Sequence, residues 1–583
     1  MQSGAYSDTG SRVRSLAFLA FLALAAFLLH LPSELGMSLA IPPDSDEYSV
    51  CLANLFQHGR FGFTLNGEWY PSRYSPWFSL LCLSPAYLLF WGDALSLHWA
   101  VLAFAVAFLA MSCRMGRLAG LGKWSVACAA VPLFIPDFVF YSRMTMTEIP
   151  YTAIVALSAL LFARFAKEES PSLRQCLGAG AVVAGGGAGR ATALPMLALF
   201  AAAAFMKKSG RGRRLLCSLF LLLPAAVYET ANLAYNKLVF GSPFRNGYNF
   251  WVAVPYDYLD LTFSLEYAAR NAIQYLHEPV ALATLMLVAV VSATAFLMLR
   301  GRFGGVRENR DFLLLSLYVA CQGLAVTALY IGYYWCDVRF FLPVLLCAMP
   351  LFMGALAAIA GWGRGRRAGL ASVAVLALCA GCFRLVTPRY SYMTGYPQGI
   401  FEAAASNVVL PDRSVVLQNG NPMFMDFFRP DGKGVEMFPI ERRFDYVTTM
   451  VAPSSISGLG PKPDEYHQRI IPELVADGTC SLPFPATVAE RPETVGRFLA
   501  DGRRVFLHAG RTFSPSSGEG RKVLEPLREN FETRTFGTWE VPAVAPNPVR
   551  HLYDRFVFPG FAMDSRPATA STYFEILPKT AFQ

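Results

Sequence analysis

The chain has 583 residues, of which 54% are hydrophobic and only 16% are charged. Because a soluble domain usually carries about 25% charged residues, this composition excludes a protein whose whole surface faces water. The net charge of +9 lies largely in short loops between apolar runs, which is the pattern of a membrane protein and not of a nucleic-acid-binding one. Most of the twelve cysteines fall inside those runs, so we expect no disulfide framework.

Apolar runs that are long enough, or nearly long enough, to cross a bilayer recur from residue 15 to residue 385 and then stop. The first run follows two arginines, as in a signal peptide, but no convincing small-residue cleavage site follows it, so we interpret it as an uncleaved helix. We expect a mainly α, polytopic membrane domain over residues 1–386. Its predicted transmembrane helices, about eleven in number, are 15–31, 95–113, 124–141, 147–166, 174–189, 191–206, 214–236, 279–299, 312–332, 340–360 and 367–385.

A twelfth apolar run, 76–92, begins with a proline and contains another. If this run does not cross, seventeen lysines and arginines fall in short loops on one side, the richest being 207–214, and each opposite short loop holds one arginine. Since positive residues favour the cytoplasmic side, we predict that 76–92 is an interfacial or re-entrant hairpin and that the N-terminus is cytoplasmic. The loops 32–94 and 237–278 then lie outside a plasma (inner) membrane that the chain crosses many times.

Acidic residues stand at the outer ends of two predicted helices. Asp44, Asp46 and Glu47 fall within four residues of one another in the first outer loop, and Glu148 stands at the outer mouth of a later span. Aspartate suits the N-cap of a helix, and a carboxylate at a helix start meets the positive end of the dipole. A purely structural role therefore stays open for both groups.

Three arginines lie on the outer side, where positive charge should be scarce: Arg143, Arg190 and Arg339. Each could be a single anchor whose guanidinium reaches the membrane interface. Together with the acids, they indicate a site for an anion with a polar, hydroxyl-rich head.

Several short motifs follow one another along the chain, each on the predicted outer face. They are Asp44 with Tyr48, Tyr70-Pro71, Thr147-Glu148-Ile149-Pro150, Arg190-Ala191-Thr192, Phe240-Gly241-Ser242-Pro243 and Arg339-Phe340-Phe341-Leu342-Pro343. In this order, they resemble the C-type (GT-C) glycosyltransferases, in particular the protein O-mannosyltransferase and aminoarabinose transferase branch. The resemblance covers residues 1 to about 390.

The resemblance implies an inverting transfer of a sugar from a polyprenyl-phosphate donor to a lipid, glycan or protein acceptor. It implies a catalytic aspartate in the first outer loop, which by position is Asp44, with Asp46 as the competitor and Glu148 as a second catalytic acid. One base can suffice, because a lipid phosphate leaves as a stabilised anion. The residues expected to hold the donor phosphate and sugar are Arg73, where the family often has lysine, Arg190, Tyr334, Arg339, Asp46, Tyr48 and Tyr70.

We expect no cofactor, since no histidine spacing makes a metal site and the resembling branch has no general metal requirement. A divalent cation on Asp44, Asp46 and Glu148 stays open as an alternative. The glycine run 185–189 lies in an apolar run without a preceding strand, so it predicts close helix packing and not a nucleotide loop.

Two other functions compete with the enzyme. A lipid-sugar transporter or flippase should show internal repeats and polar breaks near the membrane midplane. The sequence shows no such repeat, and its acids gather at one membrane face. The second alternative is an inactive transferase scaffold that binds lipid or a partner. The acids at positions 44 and 148 argue against it.

Residues 387–583 have ordinary charge density and are numerous enough for a core of their own. Short strands and helices alternate there, which predicts a small soluble, extracytoplasmic α/β domain that binds the acceptor or covers the outer cavity. The predicted strands are 414–417, 446–451 and 504–508, and the predicted helices are 398–409, 464–477, 491–501 and 520–530.

Overall fold

The computed structural model contains a helical bundle within residues 5–362 and a mixed β-sheet within residues 415–578. The prediction of a mainly α membrane protein with a C-terminal α/β region is therefore confirmed. The predicted boundary between residues 386 and 387 lies outside the described residues. The structure describes residues 5–31, 42–90, 92, 94–249, 262–277, 279–301, 309–333, 337–362, 409–418, 434–439, 492–509, 527–540, 547–557 and 570–579.

The α-helices of the bundle are numbered here in chain order, and the first outer loop also holds a β-hairpin. The hairpin strands β1 (Gly62–Leu65) and β2 (Glu68–Pro71) pair antiparallel. The helices are α1 (Ala5–His30), α2 (Pro42–His58), α3 (Ser84–Leu89), α4 (His98–Leu118), α5 (Ser125–Ala130), α6 (Pro136–Tyr141), α7 (Glu148–Lys167), α8 (Leu173–Gly189), α9 (Met196–Phe205), α10 (Arg211–Phe240), α11 (Glu266–His277), α12 (Pro279–Leu299), α13 (Arg310–Tyr330) and α14 (Leu342–Trp362).

Within the described residues, six helices are long and apolar enough to cross a membrane, and three apolar helices are shorter. The six are His98–Leu118, Glu148–Lys167, Arg211–Phe240, Ala281–Leu299, Arg310–Tyr330 and Arg339–Ile359. The three are Ser15–His30, Ser79–Leu89 and Ala191–Phe205. The chain is thus an integral membrane protein, but the described residues do not confirm the count of about eleven spans, and the predicted span 367–385 lies outside them.

Two predicted apolar runs are interrupted or short. The run 124–141 is broken into α5, a 3₁₀ turn at Val131–Phe134 and α6, because Pro132 and Pro136 remove backbone donors. The run 76–92 holds a π-helical turn that continues into α3, and its apolar helix is well below the ~20 residues that a bilayer needs. That length is compatible with an interfacial hairpin.

Glycines allow helices to approach closely in the middle of the bundle. A Cβ atom added at Gly180 of α8 would lie 2.1 Å from the carbonyl oxygen of Leu221 on α10. One at Gly186 would lie 2.9 Å from Cβ of Ala193, in the turn that follows α8. Since real Cβ atoms do not approach so closely, these positions require glycine, as close helix packing predicts.

The C-terminal sheet has five strands in the order β4-β3-β5-β7-β6. The first three strands run parallel, whereas β7 is antiparallel to both β5 and β6. Its elements are β3 (Val415–Gln418), β4 (Glu436–Pro439), α15 (Pro492–Ala500), β5 (Val505–Ala509), β6 (Phe531–Glu540), α16 (Pro548–Val557) and β7 (Ala570–Pro578). The predictions at 414–417, 491–501 and 504–508 coincide with β3, α15 and β5, whereas 446–451 and 464–477 lie outside the described residues.

The first outer loop is attached to the edge of this sheet. Asn66 and Gly67 form the turn of the β1–β2 hairpin, both with positive φ, as a two-residue hairpin turn requires. The Asn66 side chain donates from Nδ2 to the carbonyl oxygen of Met437 at 3.1 Å and accepts from the Met437 amide at 2.7 Å. A side-chain amide thereby pairs with edge strand β4 as a neighbouring strand would.

Candidate functional site

Glu148 is the first residue of α7, and its carboxylate meets arginines from two other segments. Its Oε1 accepts from Nη2 of Arg190 at 2.6 Å and lies 3.7 Å from Nε of Arg339. Nε of Arg190 also donates to Oγ1 of Thr147 at 3.3 Å. The Glu148 side chain is 1% exposed and the Arg339 side chain is 15% exposed. The cluster is therefore largely shielded from water, and Arg339 lies nearest to the solvent. Three of the predicted site residues therefore come together.

Aromatic rings form a platform under the two arginines. Cζ of Arg190 lies 5.4 Å from the ring centroid of Phe340, and Cζ of Arg339 lies 5.6 Å from the same centroid. The Phe340 ring in turn stacks on Tyr330 with a centroid separation of 3.8 Å. A guanidinium over an aromatic face is attracted by the ring quadrupole and keeps its N–H edges available for other partners.

A buried hydrogen-bond network fixes the segment that carries Arg190. The hydroxyl of Tyr151, one turn along α7 from Glu148, lies 2.8 Å from Oγ1 of Thr192. Nε2 of Gln322 donates to that tyrosine hydroxyl at 2.9 Å and to the carbonyl oxygen of Thr192 at 3.2 Å. Because all three side chains are buried, the network orients the backbone at residue 192, two positions beyond the arginine.

The segment that carries Arg339 is fixed from its own side. Asp337 caps the 3₁₀ turn Val338–Phe341 by accepting from the backbone amide of Arg339, and its other oxygen lies 3.2 Å from Nε of that arginine. Nδ2 of Asn271 on α11 donates to the carbonyl oxygens of Tyr330 and Tyr333, at 3.3 and 2.7 Å. Asp337 was not singled out from the sequence, although it lies two residues before a predicted site arginine.

Two buried atoms of the cluster have no hydrogen-bond partner among the residues that the structure describes: Oε2 of Glu148 and Nη1 of Arg190. Buried polar atoms are almost always paired, since an unpaired one costs ~1–3 kcal/mol. One is an acceptor and the other a charged donor. A ligand with both an anionic oxygen and a hydroxyl would satisfy both.

A second acid–arginine pair, Glu47 with Arg73, lies in the first outer loop. Oε2 of Glu47 lies 2.9 Å from Nε of Arg73, while Oε1 accepts from the Ser72 hydroxyl at 2.6 Å and from the Arg73 amide at 2.8 Å. Both side chains are almost completely buried. Arg73 was expected to bind the donor phosphate, but its guanidinium is buried and already paired, so we do not carry that role forward. No sequence pattern indicates that Glu47, and not one of its neighbours, holds this segment.

The first turns of α2 approach Arg190 through aromatic side chains. The ring of Tyr48 is buried and lies 4.4 Å from Tyr74 and 5.0 Å from Phe78, measured between centroids. Phe78 in turn packs against Gly189, where an added Cβ would lie 3.5 Å from the phenylalanine ring. Gly189 is the residue before Arg190. Tyr48 therefore contributes packing between α2 and the arginine cluster.

The remaining predicted residues are placed only in part. Asp44 and Asp46 belong to α2, with Asp44 one turn before Tyr48, but their side chains lie outside the described residues. Tyr334 lies wholly outside them. Tyr70 is half-buried on β2, opposite Phe63 of β1. In the described part of the chain, no group of three or more His, Cys, Asp or Glu side chains could hold a metal ion.

No protein-family model matches the sequence, and no curated protein is detectably similar to it. Solved structures, however, share its fold. ArnT from Cupriavidus metallidurans in the apo state is 11% identical with a TM-score of 0.50, over 97% of this chain and 98% of that chain. The same protein bound to undecaprenyl phosphate is 12% identical with a TM-score of 0.51, over 96% and 97%. Since ArnT, an aminoarabinose transferase, is a GT-C glycosyltransferase, the chain has the GT-C glycosyltransferase fold that its sequence motifs predicted.

Proposed function

We propose that this chain is a membrane glycosyltransferase that moves a sugar from a polyprenyl-phosphate donor to an acceptor on the extracytoplasmic side. The observation that carries the proposal is the buried cluster of Glu148 with two arginines, in which Arg190 Nη1 and Glu148 Oε2 lack partners among the described residues. A phosphate would accept from the arginine, and a sugar hydroxyl would donate to the carboxylate. The undecaprenyl phosphate bound to ArnT supports a lipid phosphate as the ligand class.

The side of the membrane follows from the opposite end of α7. Nζ of Lys207 donates to the carbonyl oxygens of Phe165 and Ala166, at 3.0 and 2.8 Å, and Nη2 of Arg310 donates to that of Ala166 at 3.2 Å. Basic side chains thus gather at the C-terminal end of this helix, where its dipole is negative. Because basic loops favour the cytoplasm, Glu148 at the other end would face the extracytoplasmic side.

In the proposed reaction, the acceptor hydroxyl oxygen attacks the anomeric carbon as the bond from that carbon to the phosphate oxygen breaks. The electron pair leaves with the phosphate, and Arg190 and Arg339 stabilise the charge that develops there. The acceptor proton passes to a carboxylate base. A single displacement inverts the anomeric centre, as the family resemblance implies.

We assign the base to Asp44, with Asp46 as the alternative two residues along. Asp44 lies one turn before Tyr48, whose ring reaches the segment of Arg190 through Phe78. Glu148 is assigned a different role, because its Oε1 accepts from Arg190 and so orients that guanidinium. We therefore give Glu148 the roles of orienting the arginines and accepting a hydrogen bond from the sugar.

Donor binding can be tested without knowing the sugar. The purified chain in lipid nanodiscs should bind undecaprenyl phosphate, measured by native mass spectrometry, and Arg190→Ala should weaken binding at least tenfold. Arg211→Ala is the matched control, since that arginine is exposed at the start of α10, near the basic loops. Equal affinity of all three proteins would remove the arginine cluster from the donor site.

Transfer is tested in membranes supplied with polyprenyl-phosphate sugars. Asp44→Asn should abolish transfer, whereas Asp46→Asn should leave it within a fewfold of the unaltered chain. Loss in Asp46→Asn alone would move the base by two residues, and full activity in both would remove the base assignment. Mass spectrometry of glycans from a strain that lacks the chain would identify the sugar and show whether the acceptor is a lipid, a glycan or a protein.

A further inference from the structure

The helix α16 of the C-terminal region docks on the membrane bundle with its polar side. Arg550 and Asp554 are both completely buried and form an ion pair of 2.6 Å. Nη1 of Arg550 donates to the carbonyl oxygen of Leu28 at 2.7 Å, in the last turn of α1, where backbone acceptors lack helical partners. The hydroxyl of Tyr553 donates to the carbonyl oxygen of Leu133, in the break between α5 and α6. This helix is therefore fixed to two segments of the bundle.

The opposite side of α16 is apolar and exposed. Val549, Leu552 and Phe556 are 62%, 71% and 59% exposed, and their spacing of three and four residues places them in one stripe along the helix. A helix that faced water would show the reverse arrangement, with its charged pair outward and this stripe against the protein. The inverted polarity predicts that something apolar covers the stripe.

The stripe continues the outward apolar surface of the bundle. The ring of Phe556 lies 5.7 Å from that of Phe134, measured between centroids, and Phe134 is itself 52% exposed beside α5. Phe27, next to the Leu28 carbonyl that Arg550 binds, is 59% exposed on α1. Exposed apolar side chains on the bundle of a membrane protein are expected to face lipid, so the stripe and this surface form one apolar face.

We propose that residues 548–557 form an interfacial helix that inserts Val549, Leu552 and Phe556 among lipid acyl chains and so anchors the C-terminal region to the bilayer. Arg555 is exposed on this helix, and a long basic side chain there can extend to lipid headgroup phosphates. The buried Arg550–Asp554 pair fixes the rotation of the helix, and the apolar stripe then faces the membrane. The C-terminal region would be held at a set height above the bundle.

The test uses the full chain with p-benzoylphenylalanine at position 552 or 556, in vesicles of phosphatidylethanolamine and phosphatidylglycerol. After irradiation, peptide mass spectrometry should find lipid adducts at both positions, at least fivefold above the same probe at Arg528. That residue is exposed in the C-terminal region, just before β6, and serves as the control. Cross-links from position 552 to a second copy of the chain, or lipid yields equal to those at 528, would overturn the proposal.

A paired substitution tests the direction of the helix independently. Leu552→Glu with Phe556→Glu should increase hydrogen exchange of amides 548–557 in vesicles at least tenfold, because charged side chains leave the acyl region. Val495→Ala, a buried change in the sheet core that does not touch lipid, is the control for general destabilisation. If the paired glutamates left exchange unchanged, the stripe would not face lipid.

Discussion

Two buried carboxylates of the bundle, Glu47 and Glu148, meet arginines in different ways. Both oxygens of Glu47 are engaged, by the hydroxyl of Ser72 and by the amide and guanidinium of Arg73. Glu148 instead directs one oxygen at arginines from two separate segments and leaves the other without a described partner. The carboxylate of Glu47 is saturated, because both of its oxygens have partners. The carboxylate of Glu148 is unsaturated, because one oxygen has no described partner.

The difference separates a structural pair from a candidate site. A buried carboxylate whose two oxygens are both engaged has none left to offer a ligand, and the free energy contribution of such a pair lies in holding a loop in one conformation. An unsaturated cluster costs stability until a ligand fills it, which is the condition expected of a binding site. Acid and arginine side chains alone do not discriminate between the two, whereas their hydrogen-bond partners do.

The largest expected effect is on folding, at the saturated pair. Glu47→Ala leaves the guanidinium of Arg73 buried without its partner, which costs ~3–5 kcal/mol. Native-state hydrogen exchange of amides 47–74 in detergent should report a drop of that size. Glu148→Ala is the comparison change, and it should alter the exchange of amides 47–74 less, because Glu148 pairs with Arg190 and Arg339 and not with Arg73.

The double variant Glu47→Gln with Arg73→Met sharpens the same test. Removing both charges together should recover most of the stability, since no buried charge is then left unpaired. If the double variant stayed as unstable as Glu47→Ala, the pair would not be the reason that this loop holds its shape.

The second-largest expected effect is a lower rate of sugar transfer when the unsaturated Glu148 cluster is changed. Arg190→Ala should lower the transfer rate by ~10²–10³-fold, which is the usual effect of removing one donor from a developing anion. Arg190→Lys should recover only part of this, because lysine lacks the planar fork that serves two oxygens at once. If Arg190→Ala kept a transfer rate within threefold of the unaltered chain, this cluster would have only a structural role, like the Glu47–Arg73 pair.

Only part of this difference between the two carboxylates can be predicted from the sequence, and the reason is geometric. Glu148, Arg190 and Arg339 are predictable together, because each stands at the predicted outer edge of an apolar run. In contrast, Asp44, Asp46 and Glu47 are adjacent on one helix, and successive residues point about 100° apart around it. The choice of Glu47 as partner of Arg73 therefore depends on the rotation of α2 against its hairpin, which no local pattern encodes. In the same way, the prolines 132 and 136 signal a break, while the apolar content of 124–141 predicts one span.

The C-terminal sheet extends the comparison to a buried histidine. His508 on β5 is buried, and this burial lowers its pKa to about 4. The unfolded chain then binds a proton that the sheet does not, so stability is lost as pH falls from ~6.5 towards 4, by at most ~1.4 kcal/mol per pH unit. Glu575 acts in the same direction at lower pH, because hydrogen bonds from Arg504 and Arg534 lower the pKa of its carboxyl.

Thermal unfolding of the full chain between pH 7 and pH 4 checks this prediction. Protection factors of amides in β5 and β7, which correct for the slower chemical exchange at low pH, should fall on acidification, and His508→Phe should flatten the pH dependence of this stability above pH 4. A sheet whose stability is constant over that range would show that His508 does not keep its burial in solution.

The smallest expected effect lies where the first outer loop meets the sheet. Asn66→Ala removes both hydrogen bonds to Met437 and should cost ~1–2 kcal/mol. The loss should appear as faster exchange in β4 and not in amides 47–58, because the Glu47–Arg73 pair holds α2 independently of the sheet. Asn66→Asp is the matched control, since it keeps the acceptor to the Met437 amide and loses only the donor. Exchange that rises equally in α2 and β4 would mean that the sheet, and not the buried ion pair, holds the first outer loop against the bundle.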